Sequence, residues 1–123
     1  MAVSTRTEQK SPVVLIWSLA ATPVAWLALF GLFILRARLA LGAWPAPYMP
    51  DPKDLGFELH HAALVLGMPL MFTAVFGVTA LAFFGHRGVR RSRLAPLTAA
   101  VGLGLVILLA RIDPGNVFMW LGD

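Results

Sequence analysis

The stretch that decides the fold is Val13 to Leu35, VVLIWSLAATPVAWLALFGLFIL, in which 23 consecutive residues carry no charge. A helix rising about 1.5 Å per residue needs about 20 residues to cross a hydrocarbon core about 30 Å thick. Two further uncharged runs follow, Ala62 to Phe84 and Leu94 to Ala110. In lipid the backbone must satisfy its own polar groups, so each run reads as a transmembrane helix. The expected fold is all-α and integral to the membrane. Three transmembrane helices form an up-down-up bundle with a cytoplasmic N-terminus and a periplasmic C-terminus. Working outward, the segments are a cytoplasmic tail 1–12, a helix 13–41, a periplasmic Pro/aromatic loop 42–57, and a second helix 58–84. A basic cytoplasmic link 85–93, a third helix 94–112 and a periplasmic tail 113–123 complete the chain.

Composition agrees. Hydrophobic residues make up 59% of the 123 positions and charged residues 13%, against about 25% charged in a soluble domain. The mean hydropathy is +0.78. At this length there is room for one small bundle and no separate soluble domain. With no cysteine, disulfides, thiolate metal sites and covalently attached c-type haem are excluded. The net charge of +4 matters through its placement, and nucleic acid is not an expected partner. Arg6 and Lys10 precede the first span, and Arg87, Arg90, Arg91 and Arg93 crowd the second link without an acid among them. Lys and Arg in short loops favour the cytoplasm, so this link sets the orientation and is a lesser candidate for anionic lipid. The first run is too long for the core of a signal peptide and ends in Arg36 and Arg38, so it is read as a retained anchor.

Local signals refine the spans. Ser11-Pro12 is a helix start, with Ser as N-cap and Pro at the first position. Pro23 and Pro69 fall within spans one and two and predict kinks, with Ser18 and Thr22 near enough to bond freed backbone groups. Pro96 lies in a first turn, where proline is tolerated. Small residues four apart let backbones approach in lipid: Ala21 and Ala25, Thr73 and Gly77, Thr98 and Gly102, Ala100 and Gly104. Three spans enclose little interior, so Gly77, Gly102 and Gly104 are candidate interface positions toward a partner or a second copy. Trp26, deep in span one, reads as a packing residue rather than a cofactor stacker.

The outer loop carries Pro45, Pro47, Pro50 and Pro52, which favour a rigid extended path. Trp44, Tyr48, Met49 and Phe57 keep it apolar, and Trp44, Tyr48 and Phe57 are the expected partner contacts. Asp51-Pro52 is a helix-start signature, with Asp54 three residues on. The tail partly echoes this with Asp113-Pro114-Gly115 and Phe118, Met119 and Trp120, so loop and tail are expected to fold over each other as a lid. The pattern Leu41-Gly42, Trp44-Pro45, Tyr48, Pro50-Asp51-Pro52-Lys53, Leu55-Gly56-Phe57 and His60 resembles a class of small uncharacterised bacterial multi-helix membrane proteins. The likeness covers roughly residues 36–61. It implies a membrane fold and brings no assigned activity and no functional residues.

Reactive side chains gather at the outer end of span two. Asp54 and Glu58 share a face if the helix starts early, and Glu58 and His61 are three apart, a metal-ligand spacing when a bundle supplies two such pairs. Only one copy is present, so Asp51, Asp113 or a second protomer would have to complete a site. The leading reading of Asp54, Glu58, His60 and His61 is interfacial: they cap the helix and pair with Arg36 and Arg38. A metal on Glu58 and His61, and a pigment or haem on His60 and His61, are the minor readings. The remaining histidine, His86, belongs to the opposite membrane face, so a two-histidine haem would require a homodimer. The serines have no base placed beside them, and Gly102 to Gly104 lacks the strand-turn-helix setting of a phosphate loop. The central parts of the spans carry no ionisable group, which counts against a proton-coupled pump. The expectation is therefore a non-enzyme with no resident cofactor. It would be a small subunit of the bacterial inner membrane packing against a larger respiratory or photosynthetic complex. The alternatives are an oligomeric transporter or channel and a metal- or pigment-binding protein.

Overall fold

A computed structural model describes residues 12–84 and 94–122. Its elements are α1 (Pro12–Ala20), α2 (Thr22–Leu41), α3 (Glu58–Phe84), α4 (Leu94–Ile112), a 3-10 turn (Pro114–Asn116) and α5 (Val117–Gly122). Three helical stretches are long and apolar enough to cross a membrane: Val13–Leu41, which joins α1 to α2, then Glu58–Phe84 and Leu94–Ile112. The chain is thus an all-helical, multi-pass membrane protein. The Ser11 cap, Arg6, Lys10, His86 and the basic link with Arg87, Arg90, Arg91 and Arg93 lie outside the described residues.

Two packing centres fix the antiparallel order. At one end Ile16 and Ala20 from α1 meet Val78 near the end of α3 and Ala95 and Ala99 at the start of α4. Toward the other end Trp26, Phe30, Phe33 and Ile34 of α2 pack on Leu64 and Met71 of α3, Val106 of α4, and Val117, Trp120 and Leu121 of α5. The chain runs one way, back, and forward again. Outside these centres large side chains face outward: Leu39 is 77% exposed and Phe76 74%. Lipid tails are as apolar as leucine, so close packing rather than escape from water joins these helices.

Small residues meet at the packing seam, but in a different register from the spacing-based expectation. Ala20, Ala95 and Ala99 are fully buried, whereas Ala21, Ala25, Thr73, Ala100 and Gly104 are exposed. Of the expected positions Gly102 is the one at a close approach: a Cβ there would stand 2.9 Å from Pro23 Cβ. Gly77 and Gly104 have open space where a Cβ would go. Gly67 forms a second close approach, with Trp26 Cδ1 3.0 Å from its Cβ position.

The two prolines behave differently. The first span breaks at Ala21 (φ −77°, ψ −11°), two residues before Pro23, where ψ leaves the usual helical value of about −42°. Pro23 cannot donate to the carbonyl of Leu19, and the Thr22 hydroxyl donates to Ser18 O at 3.1 Å beside the break. The helix α3 runs uninterrupted through Pro69. Pro23 is buried against α4, while Pro69 is exposed.

Candidate functional site

Every ionisable side chain in the described residues lies toward one end of the bundle, where loop, tail and the start of α3 converge. The geometry there begins with two caps. Gly42, at φ 68°, ends α2 and donates its N–H to Arg38 O at 3.0 Å, the left-handed stop that glycine adopts without a Cβ clash. After the proline-rich turn, Asp51 N-caps a single helical turn: its Oδ1 accepts from Lys53 N at 2.9 Å. That turn closes with Gly56 N donating to Lys53 O and Phe57 N to Pro52 O, both at 3.1 Å, with Gly56 at φ 73°. This bond pair is a Schellman closure. The helix-start signature at Asp51-Pro52 is therefore real but lasts one turn. The long helix α3 begins at Glu58, so Asp54 is not on its face as an early start would require.

Two histidines then stitch three elements together. The ring of His60 places Nε2 3.0 Å from Leu29 O in α2, and His61 Nε2 is 2.6 Å from Leu121 O in α5. A carbonyl oxygen only accepts, so both Nε2 atoms carry hydrogen and donate. Leu121 belongs to the last turn of α5, whose carbonyls have no partner within the helix; His61 supplies one. His60 also stands edge-on to Phe33, with ring centroids 5.0 Å apart.

The tail closes over this arrangement. Asp113, at φ 35°, turns the chain and accepts from Phe118 N at 2.8 Å through Oδ1, which caps the start of α5. Trp120, 1% exposed, donates Nε1–H to Pro50 O in the loop at 3.0 Å. Trp26 donates to Leu64 O at 2.9 Å and stacks on Phe30 at 5.3 Å; Phe118 lies on Phe30 at 4.8 Å. Loop and tail do fold over each other, joined by Trp120.

The expected site residues divide accordingly. Phe57 is buried, 5.9 Å from Phe33 between centroids, so the fold itself occupies the face that was expected to meet a partner. Arg36 and Arg38 lie over rings, Arg36 at 4.1 Å from the Phe57 centroid and Arg38 at 4.9 Å from Trp44. The expected pairing with carboxylates gives way to cation–π contact. Glu58 is exposed in the first turn of α3, where a carboxylate complements the positive helix end. Among the described residues no group of three His, Asp or Glu side chains comes together in a way that could hold a metal ion. Trp44 and Tyr48 are 57% and 86% exposed, and they rim a crevice of about 570 Å³ between the loop and Gly115-Asn116 of the tail. The sequence reading missed the donor roles of both tryptophans and both histidines. Their only signal was four hydrogen-bond donors in apolar surroundings, which require acceptors.

No protein-family model, curated protein or solved structure matches this chain.

Proposed function

We propose that this chain is a non-catalytic integral membrane subunit that docks on a larger membrane assembly through its loop-bearing end. The observation that carries the reading is the aromatic crevice. Pro45 and Pro52 are fully buried and Trp120 pins the loop at Pro50, so Trp44 and Tyr48 project from a fixed base. Large aromatic side chains held out in this way lose little entropy on binding and are enriched at the centres of protein interfaces. Four of the residues that suit catalysis or metal binding have structural partners: His60 and His61 donate to carbonyls, and Asp51 and Asp113 cap turns. The open Cβ sites at Gly77 and Gly104 leave lipid-facing positions where a second helix can come close.

In this reading the N-terminus is cytoplasmic, the loop and tail are periplasmic, and the membrane is the bacterial inner membrane, as the basic link and the loop's likeness to small bacterial membrane proteins suggest. The host is a larger respiratory or photosynthetic complex, or else a homo-oligomer. Extraction of the tagged chain in mild detergent, followed by a native gel and mass spectrometry, tests it. Co-migration with other polypeptides is expected, and it should weaken when Trp44 and Tyr48 are both replaced by alanine. A small lone species sinks the reading. A lone species that also carries solute flux in liposomes, or an absorption band, would favour the transporter or the pigment reading.

A further inference from the structure

A second concavity lies on the lipid-facing side of the same end of the bundle. One wall is a single stripe of span one, Leu27, Phe30, Gly31, Ile34, Leu35 and Arg38; the other is formed by Leu109 of α4 and by Phe118 and its neighbours in the tail. Its volume is about 600 Å³. From Leu27 to Arg38 the stripe rises eleven residue steps along α2, or about 16 Å at 1.5 Å per residue, close to half of a hydrocarbon core about 30 Å thick. The lining is apolar until the mouth. There Arg38, held over Trp44 at 4.9 Å, presents a cation, and among the described residues no carboxylate pairs with it. A guanidinium seated over a ring keeps N–H donors at its edge, and these can bind phosphate.

From this we infer that the groove is a phospholipid site: one acyl chain lies along Leu27 to Leu35, and the lipid phosphate sits on Arg38. An apolar stripe that ends in a cation three residues before the end of the span Val13–Leu41 matches an acyl chain followed by a phosphate. The site adjoins the Trp44–Tyr48 crevice that faces the proposed partner, and Trp44 and Gly115 border both.

Gly31 makes the inference testable, because it lines the groove and has nothing within 4 Å of its Cβ position. Gly31→Trp should therefore place a large side chain in the groove from a position whose Cβ meets nothing. Gly104 has equally open space and does not line the groove, so Gly104→Trp is the control. The full chain is reconstituted in phosphatidylcholine vesicles doped with phosphatidylglycerol bearing a photoreactive diazirine near the end of one acyl chain, and the adducts are mapped by mass spectrometry. The expected result is adducts concentrated on the groove walls. They should fall several-fold in Gly31→Trp and in Arg38→Gln and stay unchanged in Gly104→Trp. The same chains on diacylglycerol, which lacks phosphate, should label more weakly and be indifferent to Arg38→Gln. Adducts spread evenly over the outward faces of all three spans would overturn the inference, as would groove labelling that Gly31→Trp leaves intact. If Gly31→Trp fails to fold, the contrast between the two probes at Arg38→Gln decides alone.

Discussion

At the residue scale, the donors at the loop-bearing end act through main-chain acceptors. His61→Ala removes the donor to Leu121 O and leaves a half-buried carbonyl unmatched, which costs about 1–3 kcal/mol. The tail should then release more readily, seen as faster modification of a cysteine introduced at Met119. Glu58→Gln, at an exposed position, should change stability by no more than about 0.5 kcal/mol. Equal effects from the two would contradict the structural role given to His61. The glycines separate in the same way. Gly102→Ala puts a methyl 2.9 Å from Pro23 Cβ and should cost about 1–3 kcal/mol through overpacking. Gly104→Ala meets nothing within 4 Å and should be neutral or gain up to about 1 kcal/mol from helix propensity. Thermal unfolding in detergent checks the pair. This contrast also shows what the sequence hid. Spacing marks Gly77, Gly102 and Gly104 alike, and only the position of Pro23 on a neighbouring helix distinguishes them.

At the element scale, much was legible, because each span declares itself through uncharged length and each stop through a glycine or a proline. Gly42 ends α2 and Gly56 ends the Asp51 turn, both at positive φ. Gly56→Ala should cost about 1–2 kcal/mol, the penalty of a left-handed residue with a Cβ, and should loosen the loop against α3. Hydrogen exchange at the amide of Phe57, which closes the turn on Pro52 O, is the readout; unchanged protection would contradict the cap. Proline removes a donor wherever it stands; the first span is interrupted at Ala21, two residues before Pro23, and α3 runs uninterrupted through Pro69. Pro23 is packed against Gly102 and Pro69 is exposed. A local rule carries no information about that packing.

At the scale of the whole molecule, three spans place the loop and the tail at one end of the bundle, and Trp120 bonds one to the other. Cysteines at Tyr48 and Asn116 should therefore react with a membrane-impermeant maleimide from the same side, and a cysteine at Leu94 from neither or from the opposite side. The convergence of loop and tail was legible from their shared Pro, Asp and aromatic content, and Phe57 was misjudged for a physical reason. An aromatic residue in a loop looks available until the chain folds back, and here Phe33 and Arg36 enclose it. Trp44 and Tyr48 remain outside, which leaves the proposed docking face narrower than the loop as a whole. The most direct test is to install a photo-crosslinking amino acid at Tyr48 in native membranes, with Trp120 as the buried control. The account predicts an adduct to another polypeptide at position 48 and none at position 120. Adducts confined to lipid headgroups at position 48 would contradict it.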